Sequence, residues 1–179
     1  MGTEIEAKLR VESLSEIELR LQAGHARFVA EQSQTDVYYD DPLRVLARGD
    51  RCLRVRHQWT ADLQEVVLTY KGPKQADDFK KRQEIEIPIG DGDALDQMLT
   101  ALGYRKAAVV EKRRRLWETG ECLVALDDVA GLGTFVEIEG PDDRAIVAVQ
   151  QMLGLAGLSH IPRSYASMVA AKRREQDDD

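Results

Sequence analysis

Charged and apolar side chains alternate along the first part of the chain. Residues 4–11 follow this two-residue period without a break, which indicates a β-strand with one charged and one apolar face. Further runs of strand-forming residues bounded by turn signals predict seven more strands, at about residues 34–39, 52–57, 65–71, 81–89, 109–117, 122–127 and 134–139. Gly72-Pro73 is expected to end the fourth strand.

Four helices are predicted among these strands. Ser13-Leu14-Ser15-Glu16 matches a capping box, and Gly24 is a suitable C-terminal cap, so the first helix is expected between them. Helical spacing predicts the others over residues 91–102, over 142–153 and from Ser164 onward. The second helix is expected to bury Leu95, Met98, Leu99 and Leu102. Runs of strands interrupted by single helices predict an α+β protein built around an antiparallel sheet.

The charged residues of each strand share a face, because residues two apart on a strand point the same way. Two interpretations of that face remain open. It can meet water while helices cover the apolar face, or the sheet can close into a barrel whose charged face lines the lumen. The near-exclusive use of Glu, Lys and Arg favours the lumen, which would hold Glu4, Glu6, Glu84, Glu86, Asp127, Glu137, Glu139, Lys8, Arg54, Arg56, Lys71, Arg82, Lys112 and Arg114.

Composition and charge narrow the classes of partner. The 179 residues include 32 Asp plus Glu against 25 Lys plus Arg, a formal net charge of -7, which disfavours nucleic acid because a phosphate backbone selects positive binders. No run approaches the roughly 20 apolar residues of a membrane span, and Cys52 and Cys122 show no disulfide or metal spacing. We expect one cytoplasmic domain over residues 1–174, without membrane attachment, and an acidic disordered tail over 175–179.

A lumen with seven acids and seven bases suits a polyanion bound together with metal ions. Lysine and arginine grip phosphate oxygens, arginine in bidentate geometry. Clustered carboxylates bind hard divalent cations such as Mg2+ or Mn2+. Zinc is disfavoured because His25, His57 and His160 are scattered and no Cys/His cluster is present in the sequence. The sequence contains neither a Walker A phosphate loop nor a dinucleotide-binding glycine motif.

The segment Glu4-x-Glu6-x-Lys8 resembles the ExExK signature of the CYTH superfamily, the triphosphate tunnel metalloenzymes. It is accompanied, in the family's order, by Leu53-Arg54-Val55-Arg56, Leu68-Thr69-Tyr70-Lys71-Gly72-Pro73, Arg82-Gln83-Glu84-Ile85-Glu86, Glu111-Lys112-Arg113-Arg114, Leu126-Asp127-Asp128-Val129 and Gly131-Leu132-Gly133-Thr134-Phe135-Val136-Glu137-Ile138-Glu139. The match runs from about Thr3 to Tyr165. Within the superfamily, the segments 34–40 and 162–165 are most similar to the class IV adenylyl cyclase group.

The resemblance implies an eight-stranded antiparallel tunnel that holds a triphosphate with basic side chains and one or two Mg2+ or Mn2+ ions with carboxylates. The implied triphosphate contacts are Lys8, Arg54, Arg56, Lys71, Arg82, Lys112 and Arg114. The implied metal ligands are Glu4, Glu6, Asp127, Glu137 and Glu139, while Glu84 and Glu86 stay unassigned between metal and substrate. The candidate catalytic residues are Lys8, Glu4 and Glu6. The family also implies a homodimer.

Two reactions fit such a site and remain open. In a cyclase, the ribose 3'-hydroxyl of ATP attacks the α-phosphorus and pyrophosphate leaves. In a triphosphatase, water attacks the terminal phosphorus of inorganic, thiamine or nucleoside triphosphate. The cyclases of the group tend to carry a His-Phe pair shortly before ExExK, where this chain has Met1-Gly2-Thr3. A non-catalytic triphosphate-binding module and a purely structural sheet are the further alternatives.

Overall fold

The computed structural model describes residues 2–75 and 79–177, with residues 2–4, 80, 176 and 177 described by their backbone alone. The strands are β1 (Gly2–Arg10), β2 (Arg27–Asp40), β3 (Cys52–Trp59), β4 (Gln64–Lys74), β5 (Lys80–Ile89), β6 (Arg105–Thr119), β7 (Cys122–Val129) and β8 (Gly133–Glu139). The helices are α1 (Leu14–Ala23), α2 (Val45–Arg48), α3 (Gly92–Ala101), α4 (Asp143–Met152) and α5 (Tyr165–Asp177). Among these helices, none combines the length and apolar character needed to cross a membrane.

The strands form a closed barrel in the order β1-β5-β4-β3-β2-β6-β7-β8. Every neighbouring pair is antiparallel. Strand β1 closes the ring, since Glu4 lies opposite Arg82 of β5 while Lys8 lies opposite Glu137 of β8. The predicted α+β barrel is confirmed. In such a barrel one face of every strand points into the lumen and the other face points outward.

Helices α1 and α4 cover the β1, β7 and β8 wall of the barrel. Apolar side chains from the outer face of that wall are fully buried beneath them, together with Leu21 of α1 and Ile146 of α4. The side chain of Ser13 accepts from the backbone N–H of Glu16, and that of Asp142 accepts from the N–H of Ala145. These N-terminal caps satisfy donors that have no partner inside a helix. The predicted starts of both helices are confirmed.

Helix α3 covers β2, β3 and β4 with a narrower face than its sequence predicts. Leu95 and Leu99 are buried against Tyr39 and Val55. In contrast, Met98 is 54% and Leu102 is 67% exposed, so the prediction that they face inward is wrong. Successive helical residues turn by about 100°, which places Met98 beside the buried stripe, and Leu102 lies beyond the last helical residue as the C-cap.

Two further local predictions are corrected. Strand β4 does not end at Gly72-Pro73 but continues to Lys74, with a register irregularity after Lys71. The missing N–H of proline is tolerated at such an irregularity.

The short helix α2 is not predicted by the sequence patterns. The buried carboxylate of Asp40 holds it in place by accepting from the backbone N–H groups of Leu46 and Ala47 at 3.0 and 2.9 Å.

Helix α5 lies at the end of the barrel where β7 and the start of β8 meet. Its first residue, Tyr165, packs with Val110, Val129 and Phe135. These three share the strand faces of Lys112, Asp127 and Glu137, so Tyr165 contacts the inner side of the barrel. The helix extends to Asp177, so the acidic segment expected to be disordered from residue 175 is helical as far as the structure describes it.

Replacing Leu21 by Ala tests the packing of α1 on the barrel. Leu21 is 0% exposed, so the variant is expected to lose about 2–5 kcal/mol of unfolding free energy through lost burial and the cavity left behind. Urea denaturation followed by circular dichroism measures this loss. The matched control is Leu19→Ala on the same helix, where the side chain is 64% exposed and the change should stay within about 0.5 kcal/mol. Similar losses in both variants would contradict this packing.

Candidate active site

The inward faces of the strands enclose a cavity of about 540 Å³. Such a volume lies within the range of small-molecule sites. Twelve of the fourteen residues predicted for the lumen line it: Glu6, Lys8, Arg54, Arg56, Lys71, Arg82, Glu84, Glu86, Lys112, Arg114, Glu137 and Glu139. The side chain of Glu4 lies outside the described residues. Asp127 lies behind the lining, fully buried. The charged face therefore turns inward, and the alternative of a charged face spread in water is wrong.

Basic side chains come from five of the eight strands and are held by local partners. Lys8 Nζ lies 3.1 Å from Glu137, and Lys71 Nζ lies 2.9 Å from Glu84. The Arg82 guanidinium donates to the carbonyl oxygens of Gly72 and Asp50 at 2.8 and 2.6 Å. The carboxylate of Asp50 lies 3.8 Å from the same guanidinium. These contacts fix the orientation of Arg82 at the cavity wall.

Arg54 is buried among hydrogen-bond acceptors. One of its nitrogens donates to Thr69 Oγ1 at 2.9 Å and to a carboxylate oxygen of Glu86 at 3.3 Å. Burial disfavours the charged form, but the neighbouring carboxylates, Asp36 foremost, raise the pKa of Arg54 above its ordinary value. Arg54 is therefore a permanent positive charge in the lumen.

Asp36 is a central residue that the sequence reasoning missed. It is 1% exposed, and its two oxygens accept from Arg56 Nε and Nη2 at 2.6 and 2.8 Å. Arg54 and Lys112 lie 4.0 and 3.9 Å away. Burial alone would raise the pKa of Asp36, but the guanidinium of Arg56 and the other cations hold it well below its usual range. Asp36 is thus the counterion of three predicted phosphate contacts.

Lys112 shows how crowded the positive charges are. Its side chain is buried, and burial together with the adjacent Arg114 guanidinium lowers the pKa of Lys112 to about 7. Asp127 and Asp36 oppose this shift from 3.7 and 3.9 Å. Burial and the neighbouring cation therefore disfavour the charged form of Lys112. An anion bound in the lumen would offset the repulsion between these cations, which favours the binding of a polyphosphate.

Asp127 holds two lining elements in position. Its oxygens accept from Arg114 Nε and Nη2 at 2.6 and 2.5 Å, and from the Tyr165 hydroxyl at 2.9 Å. Burial, followed by the Glu137 and Asp127 charges, raises the pKa of Tyr165 well above its ordinary value, so it remains a donor. The Lys8 ammonium lies 4.0 Å from the centre of the Tyr165 ring, a cation–π distance. The predicted role of Asp127 as a metal ligand stays a prediction.

Carboxylates are grouped on β1 and β8. Glu6 lies directly opposite Glu139, and Glu137 shares the face of Glu139 two residues earlier. Oxygen ligands of this kind suit Mg2+ or Mn2+. Glu137 also contacts Arg114 through a short ion pair. Within the described residues, no three His, Cys, Asp or Glu side chains are grouped closely enough to hold a metal ion. Glu6 and Glu139 supply oxygen atoms of the kind that a hard cation prefers, and their role as metal ligands stays a prediction.

Comparison with known proteins identifies the family. The sequence of this chain matches the family model of the CYTH domain over residues 2–165. The chain belongs to the CYTH domain family. Proteins with this domain are mostly enzymes that act on triphosphates and depend on divalent metals. The fold and the predicted family are thereby confirmed, while the roles of individual residues stay predictions.

Three similar proteins align with nearly the whole of this chain. Adenylate cyclase CyaB of Aeromonas hydrophila is 30% identical over 175 residues, 92% of this chain and 87% of that protein. The PH1819 protein of Pyrococcus horikoshii OT3 superposes with a TM-score of 0.84 at 31% identity, covering 94% of this chain and 99% of that one. HpAC1 of Hippeastrum, described with a dominant triphosphatase activity, gives a TM-score of 0.73 at 18% identity, covering 94% and 96%. At that identity the likeness is one of fold.

Replacing Asp36 by Asn tests its role as a counterion. Loss of one partner of a buried ion pair is expected to cost about 3–5 kcal/mol of unfolding free energy. Because the lumen then has one negative charge fewer, tripolyphosphate should stabilise the variant more than the unaltered protein. Thermal unfolding with and without tripolyphosphate measures both effects.

The matched control for this test is Asp128→Asn, one residue after Asp127, at an exposed position on β7. It should leave the unfolding free energy within about 0.5 kcal/mol and the tripolyphosphate effect unchanged. Weaker stabilisation of the Asp36 variant than of the unaltered protein would show instead that Asp36 is needed to orient the cations toward the ligand.

Proposed function

We propose that this CYTH domain is a divalent-metal-dependent enzyme that cyclises ATP to cyclic AMP and pyrophosphate inside the tunnel. The proposal is carried by one observation, the set of basic side chains that converge on the lumen from β1, β3, β4, β5 and β6. These are Lys8, Arg54, Arg56, Lys71, Arg82, Lys112 and Arg114. Three linked phosphates need donors on several sides, and a closed barrel supplies them from several walls at once.

The same residues support nucleotidyl chemistry. In the cyclisation, the ribose 3'-oxygen bonds to the α-phosphorus, the bond from that phosphorus to the bridging oxygen breaks, and pyrophosphate leaves. The 3'-hydroxyl proton is lost to an acceptor. Catalysis of such a step depends on in-line positioning and on neutralising charge around the phosphorus. Arg56 and Arg114 are well suited to this task, because buried carboxylates hold their guanidinium groups in fixed orientations.

Glu6 and Glu139, with Glu4 from the preceding part of β1, are the residues that would hold Mg2+ or Mn2+. A bound divalent ion polarises phosphoryl oxygens and offsets the charge of the leaving group. Lys8 stands beside this carboxylate group, 3.1 Å from Glu137. We assign Lys8 as a triphosphate contact next to the metal, and Glu4 and Glu6 as metal ligands. Glu84 and Glu86 face Lys71 and Arg54 and act as their counterions.

The name of the Aeromonas hydrophila relative favours the cyclase. At 30% identity over nearly the whole chain, that relative is an adenylate cyclase by name. A triphosphatase is the second candidate, since HpAC1 carries a dominant triphosphatase activity on the same fold. Its reaction uses the same cations and carboxylates but takes water as the nucleophile at the terminal phosphorus. A triphosphate-binding module without turnover is the third.

Product analysis tests the proposal. Purified protein with Mg2+ or Mn2+ is offered ATP, thiamine triphosphate and inorganic triphosphate separately, and the products are resolved by chromatography. We expect cyclic AMP and pyrophosphate in equal amounts from ATP. Orthophosphate without cyclic AMP would instead establish a triphosphatase, and no turnover of any of the three would leave only binding.

Glu6→Gln should lower the rate on the order of 100-fold, because it removes a proposed ligand of the ion that would neutralise the phosphates, with the circular dichroism spectrum unchanged. The matched control is Glu12→Gln, just beyond the end of β1 and exposed, which should keep the full rate. An unchanged rate in the Glu6 variant would remove Glu6 from the site.

A further inference from the structure

One end of the tunnel is lined by uncharged residues. Gln32 and Gln34 of β2, Gln58 of β3, Leu116 of β6 and Leu123 of β7 all line the cavity, and we call this group the amide end. It adjoins the cations directly, because Gln34 lies opposite Lys112 and Gln32 lies opposite Arg114. A chain of phosphates gripped by those cations therefore has the amide end as a neighbour.

The amides of the three glutamines are oriented by a chain of hydrogen bonds. Gln58 Nε2 donates to Glu65 at 2.9 Å, and an ionised carboxylate can only accept. The oxygen of Gln58 is thereby left for Gln34, whose nitrogen donates to it at 3.1 Å. The same nitrogen donates to the oxygen of Gln32 at 2.8 Å. One carboxylate thus fixes the direction of all three amides.

Gln32 ends this chain with unused donors. Its oxygen accepts from Gln34, so its NH2 group points away from Gln34, and it makes no hydrogen bond to another residue in the described part of the chain. Gln34 is only 3% exposed, and its own oxygen is buried without a partner. An unpaired buried oxygen costs stability. The cluster is therefore better explained by ligand recognition than by its contribution to the fold.

Two leucines form an apolar wall beside the glutamines. Leu116 lies opposite Ala30 of β2, two residues from Gln32, and Leu123 lies opposite Glu139 of β8. The wall thus separates the amides from the carboxylates proposed to hold the metal. Leucine side chains add nothing to the binding of phosphate oxygens, but they stabilise a flat apolar group that is removed from water.

We propose that the amide end binds the nucleoside of a nucleoside triphosphate, with the base against Leu116 and Leu123 and an acceptor on the base or ribose bonded to the Gln32 amide. This inference rests on the proposed function and deepens it by naming the residues that would distinguish a nucleoside triphosphate from inorganic triphosphate. Inorganic triphosphate would use the cations alone. A nucleoside triphosphate would use both the cations and the amide end.

The test compares two ligands that share the phosphates and differ in the nucleoside. Binding of ATP and of inorganic tripolyphosphate is measured by isothermal titration calorimetry in EDTA, where no metal-dependent turnover occurs. Gln32→Leu replaces the amide by an apolar side chain of similar size and removes the donors, together with the oxygen that accepts from Gln34. We expect it to weaken ATP binding about fivefold, as the loss of one neutral hydrogen bond does, and to leave tripolyphosphate within about twofold.

A second variant tests the wall independently of the hydrogen bonds. Leu123→Ala should likewise weaken ATP binding and spare tripolyphosphate, since it removes apolar contact area only. The matched control is Gln151→Leu, at an exposed position of α4 outside the cavity, which should change neither affinity. Retained tripolyphosphate binding also shows that each variant is folded.

The outcomes separate this inference from the proposed function. Equal losses for both ligands in Gln32→Leu would place the phosphates at the amide end and overturn the inference. Unchanged affinity for both ligands in Gln32→Leu and in Leu123→Ala would place the nucleoside elsewhere and overturn it as well, while the proposed function stands. Failure of the unaltered protein to bind either ligand, both in EDTA and with Mg2+ present, would overturn both.

Discussion

Closure of the sheet is the constraint on which the rest of the structure depends. Strand β1 pairs with β5 on one side and with β8 on the other, so every second residue of every strand is enclosed in one lumen. On an open sheet, charged residues at those positions would meet water and be screened. In the barrel they meet one another at short range, and the arrangement is tolerable because carboxylates lie within ion-pair distance of the bases.

The acidic residues of the lumen fall into two groups with different tasks. Asp36 at the cavity wall and Asp127 behind it are almost free of solvent contact, and each holds one arginine through two hydrogen bonds. Glu6 and Glu139 line the cavity itself, on the two strands that close the ring. The first group fixes the direction of the cations before a ligand arrives, which is the preorganisation that electrostatic catalysis requires. The second group provides oxygen ligands at the surface of the cavity.

Much of the site could be predicted because strand parity is a local property of the sequence. The two-residue spacing of Glu6 and Lys8, and of Arg54 and Arg56, predicts that each pair shares a strand face. Closure of the barrel then brings these faces together. Asp36 escaped this reasoning although it has the same parity as Gln34, because a strand that mixes Gln, Asp and Tyr on one face shows no charge pattern. Its importance comes from Arg56, which lies opposite it on the next strand.

Other differences have tertiary causes of the same kind. Helix α2 is a four-residue turn that exists because Asp40, at the end of a neighbouring strand, caps it. Helix α3 buries only Leu95 and Leu99 among its large apolar residues, so Met98 stays in solvent. Such features depend on which elements become neighbours, and no window of sequence contains that information.

The position of β1 in the ring also has a consequence for how the protein is made. The first strand finds one of its partners only when residues 133–139 exist, and Tyr165, which buttresses Lys8 and Asp127, comes later still. Contacts between such distant parts of a chain form slowly, because the intervening segment must be ordered first. Until residues 133–139 have been synthesised the ring cannot close. The binding site is therefore complete only when the first and last strands have paired.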